Sequence, residues 1–353
     1  MDIVRSIENL PEFDDHELVA FIQDKATGLK AFIAIHDTAL GPAAGGTRFW
    51  KYSSEREALK DVLNLSRAMT YKCALAGVPF GGGKAVIYEG QKTPALIRAY
   101  ARLLKFFEKK FYTGEDVGIS EKDVQEILKI NKYVIGGPKA SGDPSPWAAL
   151  GVFYSMQAGL RFKNGSEDIR NRKFAVKGLG KVGLELCRLI SLKGGKLYGA
   201  DIDLLAIKKA KKLCPGITII SPLQIHALKV DVFSPCAMGA DLNKKTIPEL
   251  KCDLVCGGAN NQLATKEDGK RLFRRNILYV PDYLANGGGL MNVVDELSPG
   301  GYNQNRVKNK IANIKRTVSL VLKRSAESNR PPGEIADELA ESYFTKDKLR
   351  RKD

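Results

Sequence analysis

The chain has 353 residues, 44% hydrophobic and 27% charged, with a formal net charge of +16. That length can bury two ordinary cores, and the mix is that of a globular protein without an apolar run long enough to span a membrane. The start, MDIVRSIENLPEF, lacks the basic, apolar and small-residue parts of a signal peptide, so a cytoplasmic location is expected.

In chain order, HELVAFIQD and LKAFIAIHD alternate apolar and polar residues about a KATG turn and predict a β-hairpin. SSEREALKDVLNLSRAMTYK changes to helical spacing, with Ser54 and Glu57 as a capping box. The next stretch, TYKCALAGVPFGGGKAVI, sets Lys72 and Lys84 around the glycines Gly81, Gly82 and Gly83. It is no nucleotide-hydrolase loop, because Val78 stands where the first glycine belongs and Ala85 where a Ser or Thr would hold Mg²⁺. AVIY reads as a strand, and Thr93 with Pro94 opens the amphipathic helix ALIRAYARLLKFFEKK. A breaker-rich loop, GGPKASGDPSP (Gly136 to Pro146), reads as a hinge or domain junction, followed by a helix from Trp147 to about Arg161.

Beyond it the rhythm is regular. FAVKG, a helix over Lys181–Leu192, KLYGAD and LLAIKKAKKL alternate strand and helix, and short apolar strands follow near residues 217–220, 230–233, 254–256 and 277–280. Such alternation predicts a parallel sheet covered on both faces. Helical patterns over Asn305–Arg324 and Gly333–Tyr343 close the chain before the basic KDKLRRKD tail.

VKGLGKVGLEL carries Gly178-x-Gly180-x-x-Gly183 between a strand and a helix, and a second strand ends in Asp201 about eighteen residues on. In that context the motif predicts a dinucleotide site, with pyrophosphate at the helix N-terminus and Asp201 on the ribose 2′-hydroxyl. An acid there favours NAD over NADP, while Lys181 inside the loop is a mild counter-signal.

Other chemistries are less well supplied. The six cysteines form no C-x-x-C pair and read as reduced, partly buried thiols without zinc, and the three histidines, His16, His36 and His226, lie in no metal or triad motif. The basic clusters lack interleaved aromatics, so specific nucleic-acid binding is not expected.

Several stretches in order resemble the leucine/valine/phenylalanine branch of the amino-acid dehydrogenase superfamily. They are GPAAGGTRFW (Gly41–Trp50), TYKCALAGVPFGGGK, TGEDVGIS (Thr113–Ser120), SGDPSPWAALGV, the Gly178 fingerprint, SPCAMGADLN, GGANNQL and PDYLANGGGLMNV. The resemblance implies an α/β fold of two domains with a cleft between: a mixed α/β substrate-binding and oligomerisation domain (1–144, completed by C-terminal helices 312–353) and a Rossmann-type doubly wound parallel sheet (145–311). It implies NAD-dependent, reversible oxidative deamination of an amino acid to the 2-oxo acid and ammonia by a homo-oligomer.

By the same resemblance Lys72 holds the substrate α-carboxylate, Lys84 is the catalytic lysine, Asp116 shuttles protons, and Gly45, Gly46, Ala44, Gly114 and Asn286 line the substrate. Gly178, Gly180, Lys181, Val182, Gly183, Asp201, Ala148, Cys236, Ala237, Ala259, Asn260 and Asn286 fall on its cofactor positions. The chemistry suits these types: a lysine near a second cation in a closing cleft can serve as base and then, protonated, stabilise an alkoxide. The glutamate-specific branch has a lysine at the position of Ala44, so a glutamate γ-carboxylate would go unpaired here. Leucine-type enzymes tend to have Leu at 44 and Ala at 114, so the smaller Ala44 and Gly114 are expected to widen the pocket. Branched-chain and aromatic substrates both remain open. Ala148 replaces a family threonine whose hydroxyl helps fix the nicotinamide carboxamide, which raises the alternative of a weakly catalytic sensor or scaffold.

Overall fold

The computed structural model describes the backbone of residues 7–136 and 141–350, with side chains to residue 345. The extreme N-terminus, four residues of the expected hinge loop and the KDKLRRKD side chains lie outside the described residues. Contacts group the chain into two units: one takes residues to Asp143, Val293–Tyr302 and those from Ala340 on, and the other takes Pro144–Asn292 and Asn303–Leu339.

In chain order the first stretch contains β1 (Leu18–Asp24), β2 (Leu29–Asp37), β3 (Ala43–Ala44), β4 (Thr47–Phe49), α1 (Glu55–Ala76), β5 (Gly81–Glu89), α2 (Pro94–Leu103), β6 (Phe111–Tyr112) and α3 (Glu121–Leu128). The strands run β1-β2-β5-β3-β6 across one sheet, with β4 also on β5. β1 and β2 form the expected hairpin, antiparallel to each other, and β2 is antiparallel to β5, whereas β3 and β4 lie parallel to β5. Ser54 caps α1 by accepting from Glu57 N–H, and Gly77 ends it in the left-handed region.

Successive residues of a strand point to opposite faces, and β5 shows both faces filled. Ala85 and Ile87 join the cluster under α2 and α3, while Val86 joins Val62, Leu63 and Leu65 of α1. The glycine run before Lys84 is therefore the start of this central strand, where a loop would have been the simpler reading.

The second stretch contains α4 (Ser145–Asn164), β7 (Lys173–Lys177), α5 (Lys181–Leu192), β8 (Lys196–Ala200), α6 (Leu204–Leu213), β9 (Thr218–Ile219), β10 (Lys229–Pro235), β11 (Lys251–Val255), α7 (Lys266–Arg274), β12 (Leu278–Tyr279) and α8 (Asp282–Ala285). α9 (Gly288–Val294), α10 (Gln304–Ala312), α11 (Ile314–Ser328) and α12 (Pro332–Arg350) follow. Six parallel strands run in the order β12-β11-β10-β7-β8-β9. The direction of winding reverses between β7 and β10, which makes their carboxyl ends the switch point of a doubly wound sheet.

The late helices depart from expectation. The pattern over Asn305–Arg324 is two helices broken at Asn313, and α11 groups with the second unit, packing against α4 through Ile314, whose Cδ1 lies 3.0 Å from where a Cβ on Gly151 would stand. The chain rejoins the first unit at Ala340, later than the residue 312 expected from the sequence.

Candidate active site

Lys84 lies on the α1 face of β5, one side-chain alternation before Val86. Its position is over-determined by the glycines before it. A Cβ on Gly81 would stand 1.9 Å from the Asp37 carbonyl oxygen, one on Gly82 2.1 Å from Thr70 N, and one on Gly83 2.7 Å from the Phe111 ring. Each is far inside contact distance, so β2, α1 and β6 all close on the strand where only hydrogen fits. The Thr70–Gly82 contact matters most, because Lys72 and Lys84 each stand two residues beyond it. Lys72 sits in the last turns of α1, half-buried.

The Lys84 side chain is 8% exposed, and its Nζ lies 2.6 Å from Asp116 Oδ2. Its close ionic partner is thus Asp116. Asp116 occupies a tight turn closed by Ile119 N–H donating to the Asp116 carbonyl (2.9 Å). β4 grips that segment from both ends: Thr47 N–H donates to Gly114 O (3.0 Å) and Phe49 N–H to Val117 O (2.8 Å). Burial pushes the Asp116 carboxyl upward, but Lys84 and then Arg48 outweigh it and hold it below the usual carboxylate range.

Gly45 and Gly46 serve close approach: added Cβ atoms would lie 1.9 Å from Gly83 O and 2.2 Å from Glu115 O. Ala44 is wholly buried on β3, in register with Gly82 and Tyr112. Gly114 does not widen a pocket in the way expected. A methyl there would point at the Ile135 backbone, 2.8 Å from its carbonyl oxygen, so glycine admits the neighbouring chain, which bridges at Thr113 and Val134.

In the second unit the fingerprint follows β7. Gly178 has φ +100°, and a Cβ on it would meet Ala237 N at 2.5 Å and the Cys236 backbone at 2.6 Å. The loops after β7 and β10 therefore touch at the switch point. Gly183 is equally constrained, since its Cβ would lie 1.9 Å from Gly178 O. Gly180, by contrast, faces open space and precedes α5 without any side-chain cap on that helix. Lys181 and Val182 begin the helix, and Val182 Cγ1 would be 2.6 Å from a Cβ on Gly258.

Asp201 accepts from Leu179 N–H (2.6 Å) through one oxygen and from Asp203 N–H (2.9 Å) through the other. Each carboxylate oxygen keeps a lone pair for a hydroxyl. Cys236 accepts weakly from Gly258 N–H (3.4 Å) and sits 3.4 Å from Ser234 Oγ, and burial raises its thiol pKa. Ala259 O accepts from Gln262 Nε2 (3.0 Å). Asn260 Oδ1 accepts from Asn286 Nδ2 (2.8 Å), while the Asn286 Oδ1, in a residue 4% exposed, is buried without a hydrogen-bond partner. Ala148 lies in the first turn of α4, its Cβ 3.5 Å from where a Cβ on Gly289 would be.

These features fit a dinucleotide. An uncapped helix start beside open space suits a pyrophosphate, the Asp201 lone pairs suit a ribose, and the orphaned Asn286 oxygen suits an amide or ammonium donor. Among the described residues no group of three or more acidic, His or Cys side chains could hold a metal ion, and no helix is long and apolar enough to cross a membrane.

Sequence reasoning missed two clusters. Arg48 Nη1 pairs with Asp61 Oδ2 (2.8 Å), Tyr52 donates to the same oxygen, and Arg48 Nε lies 3.4 Å from Asp116 Oδ2. Lys177 pairs with Asp241, whose oxygens also lie 3.2 Å from His226 Nε2. A signal for the first existed: Asp61 and Lys72 are eleven residues apart on one helix, within about 20° of the same face.

Residues 16–133 match the family model for the Glu/Leu/Phe/Val dehydrogenase dimerisation domain, and residues 143–340 that for glutamate/leucine/phenylalanine/valine dehydrogenase. An L-tryptophan dehydrogenase of Nostoc punctiforme is 42% identical over 94% of this chain and 94% of its own. A leucine dehydrogenase of Geobacillus stearothermophilus is 42% identical over 93% and 90%, and a phenylalanine dehydrogenase of Bacillus thermotolerans 42% over 86% and 81%. The crystal structure of L-tryptophan dehydrogenase from Nostoc punctiforme superposes with a TM-score of 0.83, covering 95% of this chain and 97% of that one at 40% identity.

Proposed function

The chain belongs to the Glu/Leu/Phe/Val dehydrogenase family, in the branch of leucine and phenylalanine dehydrogenases, and from that premise we propose that it deaminates an apolar L-amino acid with NAD. It is a dinucleotide-dependent oxidoreductase acting on the CH–NH2 group of an amino acid. The observation that carries the finer reading is the buried Lys84–Asp116 contact at 2.6 Å, with an alanine at position 44.

In this reading the second unit holds the dinucleotide through Gly178, Gly180, Lys181, Val182 and Gly183, with Asp201 on the ribose and Cys236, Ala237, Ala259, Asn260 and Ala148 around the remainder. Held there, an oxidised nicotinamide would supply the acceptor for the α-hydrogen and its electron pair. In the first unit Lys72 takes the α-carboxylate. Asp116 removes a proton from the substrate nitrogen as the imine forms, and Lys84, neutral after releasing its own proton to solvent, takes one from the water that attacks the imine carbon. The ammonium so formed stabilises the neighbouring oxyanion. Asp116 returns its proton to the nitrogen and takes the remaining hydroxyl proton as ammonia leaves with the C–N electron pair, giving the 2-oxo acid. Asn286 offers its unpartnered carbonyl oxygen to the substrate nitrogen.

Asp201 supports NAD over NADP, because a 2′-phosphate would meet its carboxylate. Ala44 disfavours glutamate, whose γ-carboxylate would find no cation there. Branched-chain and aromatic side chains are both compatible, as the Leu, Phe and Trp enzymes among the relatives suggest. The match of residues 16–133 to a dimerisation domain supports a homo-oligomer, and β1 leaves an open sheet edge with Phe21 exposed. No observation favours a non-catalytic sensor.

The test is reduced-nicotinamide formation at 340 nm with NAD⁺ or NADP⁺ and leucine, valine, phenylalanine, tryptophan or glutamate. Turnover is expected with NAD⁺ and an apolar substrate, and a preference for glutamate or NADP⁺ would overturn the finer reading.

A further inference from the structure

Asp116 is flanked by two cations of different character. Lys84 Nζ, at 2.6 Å, is on β5, and Arg48 Nε, at 3.4 Å from the same oxygen, is on β4. The register explains how they converge. Arg48 pairs with Val86 in the parallel β4–β5 ladder, so its side chain leaves on the same sheet face as Val86 and Lys84. That face is covered by α1, and there Arg48 meets Asp61 at 2.8 Å, with the Tyr52 hydroxyl on the same carboxylate. The guanidinium is 20% exposed and Asp61 25%, so the pair is screened only in part.

Lys84 must lose and regain a proton if it serves as base and acid, and while neutral it offers Asp116 no charge. Arg48 keeps its charge throughout. Its backbone is equally fixed, because the hydrogen bonds of Thr47 and Phe49 hold the Asp116 segment on either side of it. We infer that Arg48, braced by Asp61 and Tyr52, is a positioning residue that supplies a constant positive charge to Asp116 while Lys84 exchanges its proton. Asp61 lies about three helical turns, some 16 Å, before Lys72 on one stripe of α1, so one helix carries both the brace and the proposed carboxylate-binding lysine.

The groups facing Asp116 among the described residues are Lys84 from β5, Arg48 from β4 and the Val117 N–H; those facing Arg48 are Asp116, Asp61 from α1 and Tyr52. Burial, which favours the neutral acid, is outweighed by both cations. The inference rests on the dehydrogenase reading for its consequence but not for its test.

The experiment compares wild type, R48M and R48K in pH profiles of kcat/KM for deamination, together with an NMR titration of the Asp116 carboxyl identified by its loss in D116N. With one of two cations gone, the acid limb of R48M is expected about one pH unit higher. R48K, which keeps the charge but not the fork, should recover most of that shift with a lower kcat. An unmoved limb in R48M, or an equal shift in R48K, would overturn the role. Should R48M not fold, R48Q takes its place in the same titration, and an Asp116 carboxyl that titrates there as in wild type sinks the inference. Should wild type turn over none of the amino acids, the proposed function fails separately, and the NMR comparison still judges Arg48.

Discussion

The two units use the same residue type for opposite ends. In the nucleotide unit Gly180 leaves space open in front of an uncapped helix, and Gly178 lets two loops meet at the switch point. In the other unit Gly45, Gly46 and the run before Lys84 fill space completely, with carbonyls, a helix backbone and an aromatic ring where a Cβ would be. One site is thus built from backbone that a ligand approaches, the other from side chains that packed backbone holds still. The glycine fingerprint of the first is contiguous in sequence, whereas the second is assembled from separate strands and a helix.

That contrast can be broken most sharply at Lys84. Removing the amine should lower kcat by about 10³-fold, within the span of general acid–base effects, while NADH fluorescence shows binding to the second unit unchanged. Equal loss of both would mean the units do not divide the labour.

Acid should separate them next. Burial, followed by the neighbouring His16, depresses the His36 pKa from 6.5 to about 4, against an opposing pull from Asp14. The unfolded chain therefore protonates first as pH falls below 6.5. Stability that is full above 6.5 should decline to about pH 4, by about 3 kcal/mol at 1.4 per unit. Urea unfolding across that window should show the decline, flattened in H36Q; an equal slope in H36Q would exclude His36 as its source.

In the nucleotide unit, Gly183→Ala places a methyl 1.9 Å from Gly178 O. It should weaken NADH binding about tenfold or more through an overpacking strain of about 1–3 kcal/mol. The smallest effect is expected from G114A. Its methyl meets the Ile135 carbonyl oxygen at 2.8 Å, so thermal melts should show a loss of about 1 kcal/mol with little change in the leucine-to-phenylalanine preference. A strong swing in that preference would restore Gly114 as a pocket residue.

Much of the nucleotide unit could be read in advance, because strand–helix rhythm and a contiguous glycine motif are short-range signals. The predicted span Lys181–Leu192 is the helix found, and Asp201 lies beside the loop it was expected to serve. The first unit was legible chiefly through resemblance. Lys84 and Asp116 are thirty-two residues apart, and only the pairing of β4 with β5 brings Arg48 to them. The strand was expected to begin only at Ala85, because glycine is poor in strands generally; close approach from three neighbours overrides that preference. The break at Asn313 was invisible because apolar periodicity continues through it. The role of Gly114 was misjudged because composition cannot say which way a missing methyl would point.

The glycines ahead of Lys84 also bear on how this enzyme could change. With hydrogen atoms filling every gap around Gly81, Gly82 and Gly83, the neighbourhood of the lysine has no spare volume for new side chains. Directed evolution toward another amino acid would therefore have to leave that strand untouched and accumulate its successful substitutions elsewhere, around an anchor that cannot drift.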